Sequence, residues 1–419
     1  MGYLIKSGIA GGFQKQSVAR ASDGTLWAVY CIHEGSKIAA ALSSDDGESW
    51  TEEIVAEGEL AKQPCLAIDS SDDLWVAWAS HGYGDYSDRY NIVYSKRNHI
   101  TTAWSDPVVI SDTPDGAVEH QQAPEIDICR GDWVHVVWCG LGWGDYPARQ
   151  ACIYRRISPW ADEQLIACVD ADQWDLSVAC SPDLVGGVYV VWHGQGWGDN
   201  PTVNNIQFRD KTGVSWWPQE AVTDKDVEQH MADLCLDTDG NVHVTWTGLG
   251  WDDPWGFLEN MADYQNIRWR MRDTGGSWTS HDAACVSMAE SHQYGPAIMV
   301  QGTDNQPRIL WRTSAGGVRQ SLRQYFDGFG WGFWDEQWTG ETGVNVAVLC
   351  TMWPVKSGIR TNFPTEGYAF VFAEGSVPYD YRYTDVGFDP DTPGPADSST
   401  GPFAGLAGIG FGQILGFGR

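Results

Sequence analysis

The segment WCGLGWGDYP at residues 138–147 returns as WHGQGWGDNP at 192–201 and WTGLGWDDPW at 246–255, with a tyrosine form, WASHGYGDYS, at 78–87. A chain that repeats one loop at near-constant spacing is built from repeated structural units, and this constrains its fold more than its length does. Each loop follows a strand-like run ending in an aromatic: LWVAW to Trp78, VHVVW to Trp138, VYVVW to Trp192 and VHVTW to Trp246. LWAVY to Tyr30, RILW to Trp311 and YAFVF to Phe372 extend the series. A second tryptophan series falls at 50, 104, 160, 216, 278 and 334. Within one period, short runs rich in β-branched and aromatic residues alternate with turn residues, as in PEIDIC, VHVVWC, ACIYRRI and EQLIAC. No segment carries a sustained helical period.

Four-strand units at this spacing predict an all-β fold, a seven-bladed β-propeller of four-stranded antiparallel blades. The blades are expected near residues 13–58, 59–114, 115–170, 171–224, 225–289, 290–341 and 342–386. The last unit has only three strand-like runs, and YLIKSG at 3–8 matches the missing fourth. The N-terminal strand is therefore expected to close the last blade and remove an exposed edge. The propeller would occupy residues 1–388, followed by a Pro/Asp/Ser linker at 389–402 and an apolar, glycine-rich tail at 403–419.

SSDDGESW at 43–50 resembles the Asp box of sialidase-type (BNR) propellers, with Ser43, Asp45, Gly47 and Trp50 at the matching positions. MRDTGGSW at 271–278 keeps Asp273, Gly275 and Trp278, with Met271 where the box has serine. The resemblance implies a structural motif, in which the aspartate bonds its own turn and the tryptophan packs between sheets. Working sialidases of that family clamp a substrate carboxylate with three arginines. Here Arg20 is the only arginine in an expected first strand, so no catalytic residue is carried over.

Turn geometry sends the four repeated loops to one face. They form an arc presenting Tyr83, Trp143, Trp197 and Trp251, with Asp85, Asp145, Asp199 and Asp253 in step. The joins between blades reach the same face nearer the axis and bring His120, Gln173, His230 and His292, along with Gln63, Gln121, Gln122, Gln229 and Gln293. Indole faces beside amide, imidazole and carboxylate groups suit a sugar. The same loops also read as self-contained hairpins that cover a neighbouring blade, with no ligand. The acids recur one per blade, a poor calcium set, and the histidines lack a local ligand spacing, so no metal or other cofactor is expected, calcium being the weaker alternative.

With 56 acidic against 26 basic residues, a formal charge of −30 disfavours nucleic acid and anionic membranes as partners. The ten cysteines mostly sit singly in apolar runs and read as reduced core thiols. No secretion signal or membrane-spanning run is evident, which points to synthesis in a cytoplasm. The tail offers Phe403, Leu406, Ile409, Phe411, Ile414 and Phe417 for docking to other structural proteins or to copies of the chain, or else is a flexible remnant. Through its likeness to bacteriophage tail-associated propellers, the chain is expected to be a non-catalytic virion subunit that binds surface glycans. The alternatives are a freestanding lectin and a sialidase-like glycoside hydrolase.

Overall fold

The computed structural model describes residues 3–9, 17–32, 36–111, 121–181, 184–213, 215–250, 263–279, 292–301, 306–313, 317–325, 332–342, 350–352, 368–374 and 379–386. Trp251, Asp253, His120, the linker and the whole tail lie outside these residues. The fold is all-β, with no α-helix among the described residues, and its antiparallel sheets follow one another along the chain in a manner consistent with a propeller.

Glu59–Ile68, Leu74–His81, Asn91–Arg97 and Val108–Val109 form one four-stranded sheet. Gln121–Cys129, Trp133–Gly140, Ala151–Ser158 and Gln164–Ala167 form the next. A third is built on Gln173–Cys180, Val188–Gly194 and Asn205–Thr212, a fourth on Gln229–Leu236, Val242–Gly248 and Asn266–Arg272, and a fifth on Gln293–Gln301, Gln306–Thr313, Gly317–Tyr325 and Gly332–Thr342. The two chain ends share an eight-stranded sheet, in which Tyr3–Ile9 pairs antiparallel with Tyr379–Val386. The first strand of each sheet packs against the first strand of the next, which places these strands innermost.

Burial on both sheet faces explains the near-continuous apolar runs. Val188–Gly194 is buried at every position, and its Val190, Val191 and Trp192 enter packing layers shared with neighbouring sheets. The second tryptophan series locks adjacent sheets at the rim. Trp104 Nε1 donates to Glu53 at 3.1 Å, Trp216 Nε1 to Gln164 at 3.1 Å and Trp278 Nε1 to Glu220 at 2.7 Å, each acceptor belonging to the preceding unit. Arg97 and Arg272 add paired hydrogen bonds to the same glutamates. In the Asp-box turn, Ser43 Oγ accepts the Gly47 N–H at 2.8 Å and Asp45 accepts the Ser49 N–H at 2.9 Å, while Asp273 accepts the Ser277 N–H at 2.8 Å. Trp50 instead donates to its own turn, at Gly47 O.

Candidate functional site at the mouth of the inner strands

The repeated loop is held by a glutamine that begins each inner strand. Gln121 Oε1 accepts two indole N–H groups, from strand residue Trp138 and loop residue Trp143, both at 2.9 Å. Gln173 does the same for Trp192 at 2.9 Å and Trp197 at 2.8 Å, while its Nε2 donates to the carbonyls of Ala171, Asp172 and Gln195. Gln229 and Gln293 accept from Trp246 and Trp311. The motif's first glycine follows from this clamp. A Cβ on Gly140 would lie 1.8 Å from Gln121 Oε1, and one on Gly194 would lie 2.1 Å from Gln173 Oε1. The next two glycines of each loop, 142 and 144 or 196 and 198, have left-handed φ, and Gly142 and Gly196 close the hairpin through N–H bonds to Pro147 O and Pro201 O at 2.8 Å.

The sheet of 59–109 departs from this clamp in three places at once. Register puts Ala61 at the glutamine position and Ser80 at the glycine position, and the loop aromatic is Tyr83. Trp78 Nε1 is buried with no acceptor among the described residues, and the Tyr83 hydroxyl donates to Glu57 O at 2.8 Å. Tyr83 still packs edge-on against Trp78, with ring centroids 6.4 Å apart, as Trp143 does against Trp138 at 6.2 Å. The loop aromatics are thus half-buried with their polar atoms engaged, whereas Asp85, Asp145 and Asp199 are exposed. Gln173, expected to face a ligand, is fully buried with its amide engaged by protein groups.

Two residues after each glutamine position, the inner strand makes a bulge that sequence reasoning did not anticipate. Pairing skips one residue between Lys62 and Cys65, Gln122 and Glu125, Trp174 and Ser177, His230 and Asp233, and Tyr294 and Ala297. The extra residue has left-handed φ every time: Gln63 at 56°, Ala123 at 53°, Asp175 at 47°, Met231 at 55° and Gly295 at 56°. For a non-glycine residue this costs about 1 to 3 kcal/mol, and a bulge re-aims the side chains beside it. The only sequence trace was the aligned series AKQP, QQAP, QWDL, QHMA and QYGP.

Three successive sheets place imidazoles around these bulges. His193 Nδ1 lies 3.8 Å from the carboxylate of Asp175, itself on a bulge, and the His193 and His230 rings are 6.3 Å apart. His230 Nε2 meets Gln265 Nε2 at 3.1 Å, and the Gln265 backbone N–H donates to His292 Nδ1 at 3.2 Å. His292 lies between Tyr264, at 5.5 Å, and Tyr294, at 5.9 Å. Burial holds His230 below the usual imidazole range against the pull of Glu228 and Asp175, so the ring is neutral at pH 7. Of the expected residues, the structure brings together His230 and His292. It adds His193, Asp175, Gln265, Tyr264 and Tyr294, none of which carries a local signature.

On the 59–109 sheet the bulge-flanking residue is Lys62. Its ammonium sits 3.6 Å from the centroid of the Tyr90 ring, whose other neighbour is His81, at 4.2 Å and nearly perpendicular. Arg20, the one first-strand arginine, pairs with Asp46 at 2.6 Å. No group of three or more metal-ligating side chains is arranged to hold a metal among the described residues.

No protein-family model and no curated protein matches the chain. Solved structures share its fold. An ulvan lyase from a polysaccharide lyase family is 12% identical with a TM-score of 0.63, covering 92% of this chain and 96% of its own, and has also been solved bound to -[GlcA(1-4)Rha3S]-. Polysaccharide lyase Uly1 is 9% identical with a TM-score of 0.55, covering 93% and 92%. This corrects the expectation of a non-catalytic virion subunit. The two structures just described, which share the fold along nearly their whole length, are polysaccharide lyases, and nothing ties this chain to a phage particle. The sialidase-type resemblance is reduced to a likeness of fold.

Proposed function

We propose that the chain is a polysaccharide-cleaving enzyme with its site at the mouth of a seven-bladed propeller. Seven blades follow if the eight-stranded sheet is divided at its single bridging pair, Ile9 with Ile32, leaving four strands on either side. The pairing of Tyr3–Ile9 with Tyr379–Val386 supports closure of the last blade by the start of the chain.

The observation that carries the enzymatic reading is the gathering of His193, His230 and His292, with Asp175, Tyr264 and Tyr294, around the bulges of three inner strands, two of which hold a strained non-glycine residue, Asp175 and Met231. This set favours proton transfer. Hydrolysis of a glycoside calls for two opposed carboxylates, whereas elimination calls for a neutral base and a hydroxyl or imidazole acid. In elimination His193, oriented by Asp175, takes the proton next to a uronate carboxylate. The carbon–carbon double bond forms as the glycosidic carbon–oxygen bond breaks, and the leaving oxygen receives a proton from Tyr294 or His292. The likeness to two polysaccharide lyases supports the same class. Tyr83, Trp143 and Trp197, their polar atoms already paired, contribute apolar surface along the outer rim.

The test is incubation of the full chain with uronate-containing and neutral polysaccharides, following new reducing ends and the ultraviolet absorbance of an unsaturated uronate. Both signals together are expected, with the rate in His193→Ala reduced about 100-fold or more. Reducing ends without absorbance would reassign the reaction to hydrolysis, and the absence of both would overturn the reading.

A further inference from the structure

We propose that Lys62 forms a subsite for an anionic sugar substituent, a carboxylate or a sulfate ester, on the opposite side of the mouth from the histidines. This rests on the reading above that the mouth receives a polysaccharide, and it narrows the substrate to a polyanion.

The placement comes from register. Lys62 is the residue before the left-handed Gln63, the position that holds His230 and Tyr294 three and four sheets further on. It therefore belongs to the same ring of bulge-flanking side chains that opens on the mouth. Acidic residues outnumber basic ones by 56 to 26, and several described cations are paired with acids: Lys96 with Asp73, Arg97 with Glu53, Arg149 with Asp170 and Arg272 with Glu220. Lys211, Arg209 and Arg270 instead donate to neutral protein oxygens, of Gln164, Trp217 and Thr279. Lys62 makes no ion pair among the described residues and rests on the face of Tyr90. Burial is the cause that pulls its ammonium below the usual lysine range, with no carboxylate countering it.

The ring of His81 also contacts Tyr90, and its buried Nε2 has no hydrogen-bond partner among the described residues. A desolvated cation with no counter-charge is costly, and an anion arriving with the ligand removes that cost. Tyr90 holds the ammonium in place, so little side-chain freedom is lost on binding. The overall charge of −30 makes such a local cation necessary, since the rest of the surface repels a polyanion.

The experiment measures binding of the -[GlcA(1-4)Rha3S]- oligosaccharide, its desulfated form, its carboxyl-reduced form and a neutral arabinan oligosaccharide to the full chain, to Lys62→Met and to Lys62→Arg. Lys62→Met keeps the apolar stem on Tyr90, and unfolding curves check that it folds. The expected result is an affinity loss of about ten-fold, equivalent to about 1.4 kcal/mol, for the charged oligosaccharide in Lys62→Met, with recovery in Lys62→Arg and no change for arabinan. The modified forms identify the anion, because the one lacking it becomes insensitive to Lys62→Met. Equal losses for charged and neutral sugars, or none, would overturn the subsite even if the wild type cleaves polysaccharide. Binding that depends on Lys62 without any cleavage would overturn the enzymatic reading and leave the subsite standing. Should no oligosaccharide bind, amine acylation at Lys62 is followed by mass spectrometry with glucuronate or inorganic sulfate alone. Protection supports the subsite, and unchanged labelling overturns it.

Discussion

The glutamine clamp predicts a coupling that the 59–109 sheet has already built. Gln173→Ala strands the N–H of fully buried Trp192 and that of half-buried Trp197, and removes a donor from the carbonyls of Ala171, Asp172 and Gln195. An orphaned buried donor costs about 1 to 3 kcal/mol, and partly hydrated groups cost less, so the single change should destabilise by about 3 to 5 kcal/mol. Gly194→Ser meets the opposite problem. Its Cβ would lie 2.1, 2.5 and 2.8 Å from three atoms of the Gln173 amide, so the amide must be expelled from its indoles, at about 3 kcal/mol.

Combined, the two changes recreate the Ala61–Ser80 pair. The serine fills the space left by the amide, and the remaining defects are the buried Trp192 N–H without its acceptor, as at Trp78, and the N–H of half-buried Trp197, which water can reach in part. The double variant should therefore cost about 3 kcal/mol rather than the sum of about 6 to 8, a coupling of about 3 to 5 kcal/mol. Urea unfolding followed by tryptophan fluorescence on the four proteins of the cycle measures it. Additivity within about 0.5 kcal/mol would refute the claim that amide and glycine occupy one shared volume.

His135 lies fully buried between Tyr154 and Cys129, and burial, reinforced by Lys211 and Arg156, lowers its imidazole to about 3. The unfolded chain takes up that proton near pH 6.5, so stability from this group is complete above 6.5 and declines as pH falls toward 3, by up to about 1.4 kcal/mol per pH unit; His135→Gln should flatten the slope of unfolding free energy over this window, and an unchanged slope would exclude the assignment. At the rim, Glu220→Ala removes the acceptor shared by Arg272 and Trp278 and should cost about 2 kcal/mol, whereas Glu220→Gln, which imitates Gln164, should cost under about 1 kcal/mol in the same urea assay.

The repeat was legible because a blade buries two faces, and that demand writes the same apolar and aromatic pattern into every unit. The loops were legible as duplicated hairpins for a similar local reason, since left-handed positions at Gly142 and Gly144 restrict the residue type. The role of Gln173 was not. From sequence an amide beside a cluster of tryptophans reads equally as a sugar-binding group and as an indole acceptor, and only the position of Trp192 and Trp197 around it selects the second. His193 was missed because it follows Trp192 in an apolar strand and looks like a core residue; the bulge at Asp175 brings a carboxylate toward it. Lys62 was missed because an isolated lysine in an acidic chain reads as a solvated charge. Its lack of an acidic partner is a property of the packed fold.

By itself the sequence determined an all-β chain of repeated antiparallel units. Those properties follow from local periodicity and turn chemistry, which act over a few residues. Only the tertiary structure decided which polar side chains serve the framework and which remain for chemistry. That choice depends on partners roughly one sheet apart in sequence, such as Trp104 on Glu53, Trp216 on Gln164 and Trp278 on Glu220. A hydrogen bond or a missing counter-ion is defined by distance, and for residues so far apart in the chain only the packing of one sheet against the next sets that distance.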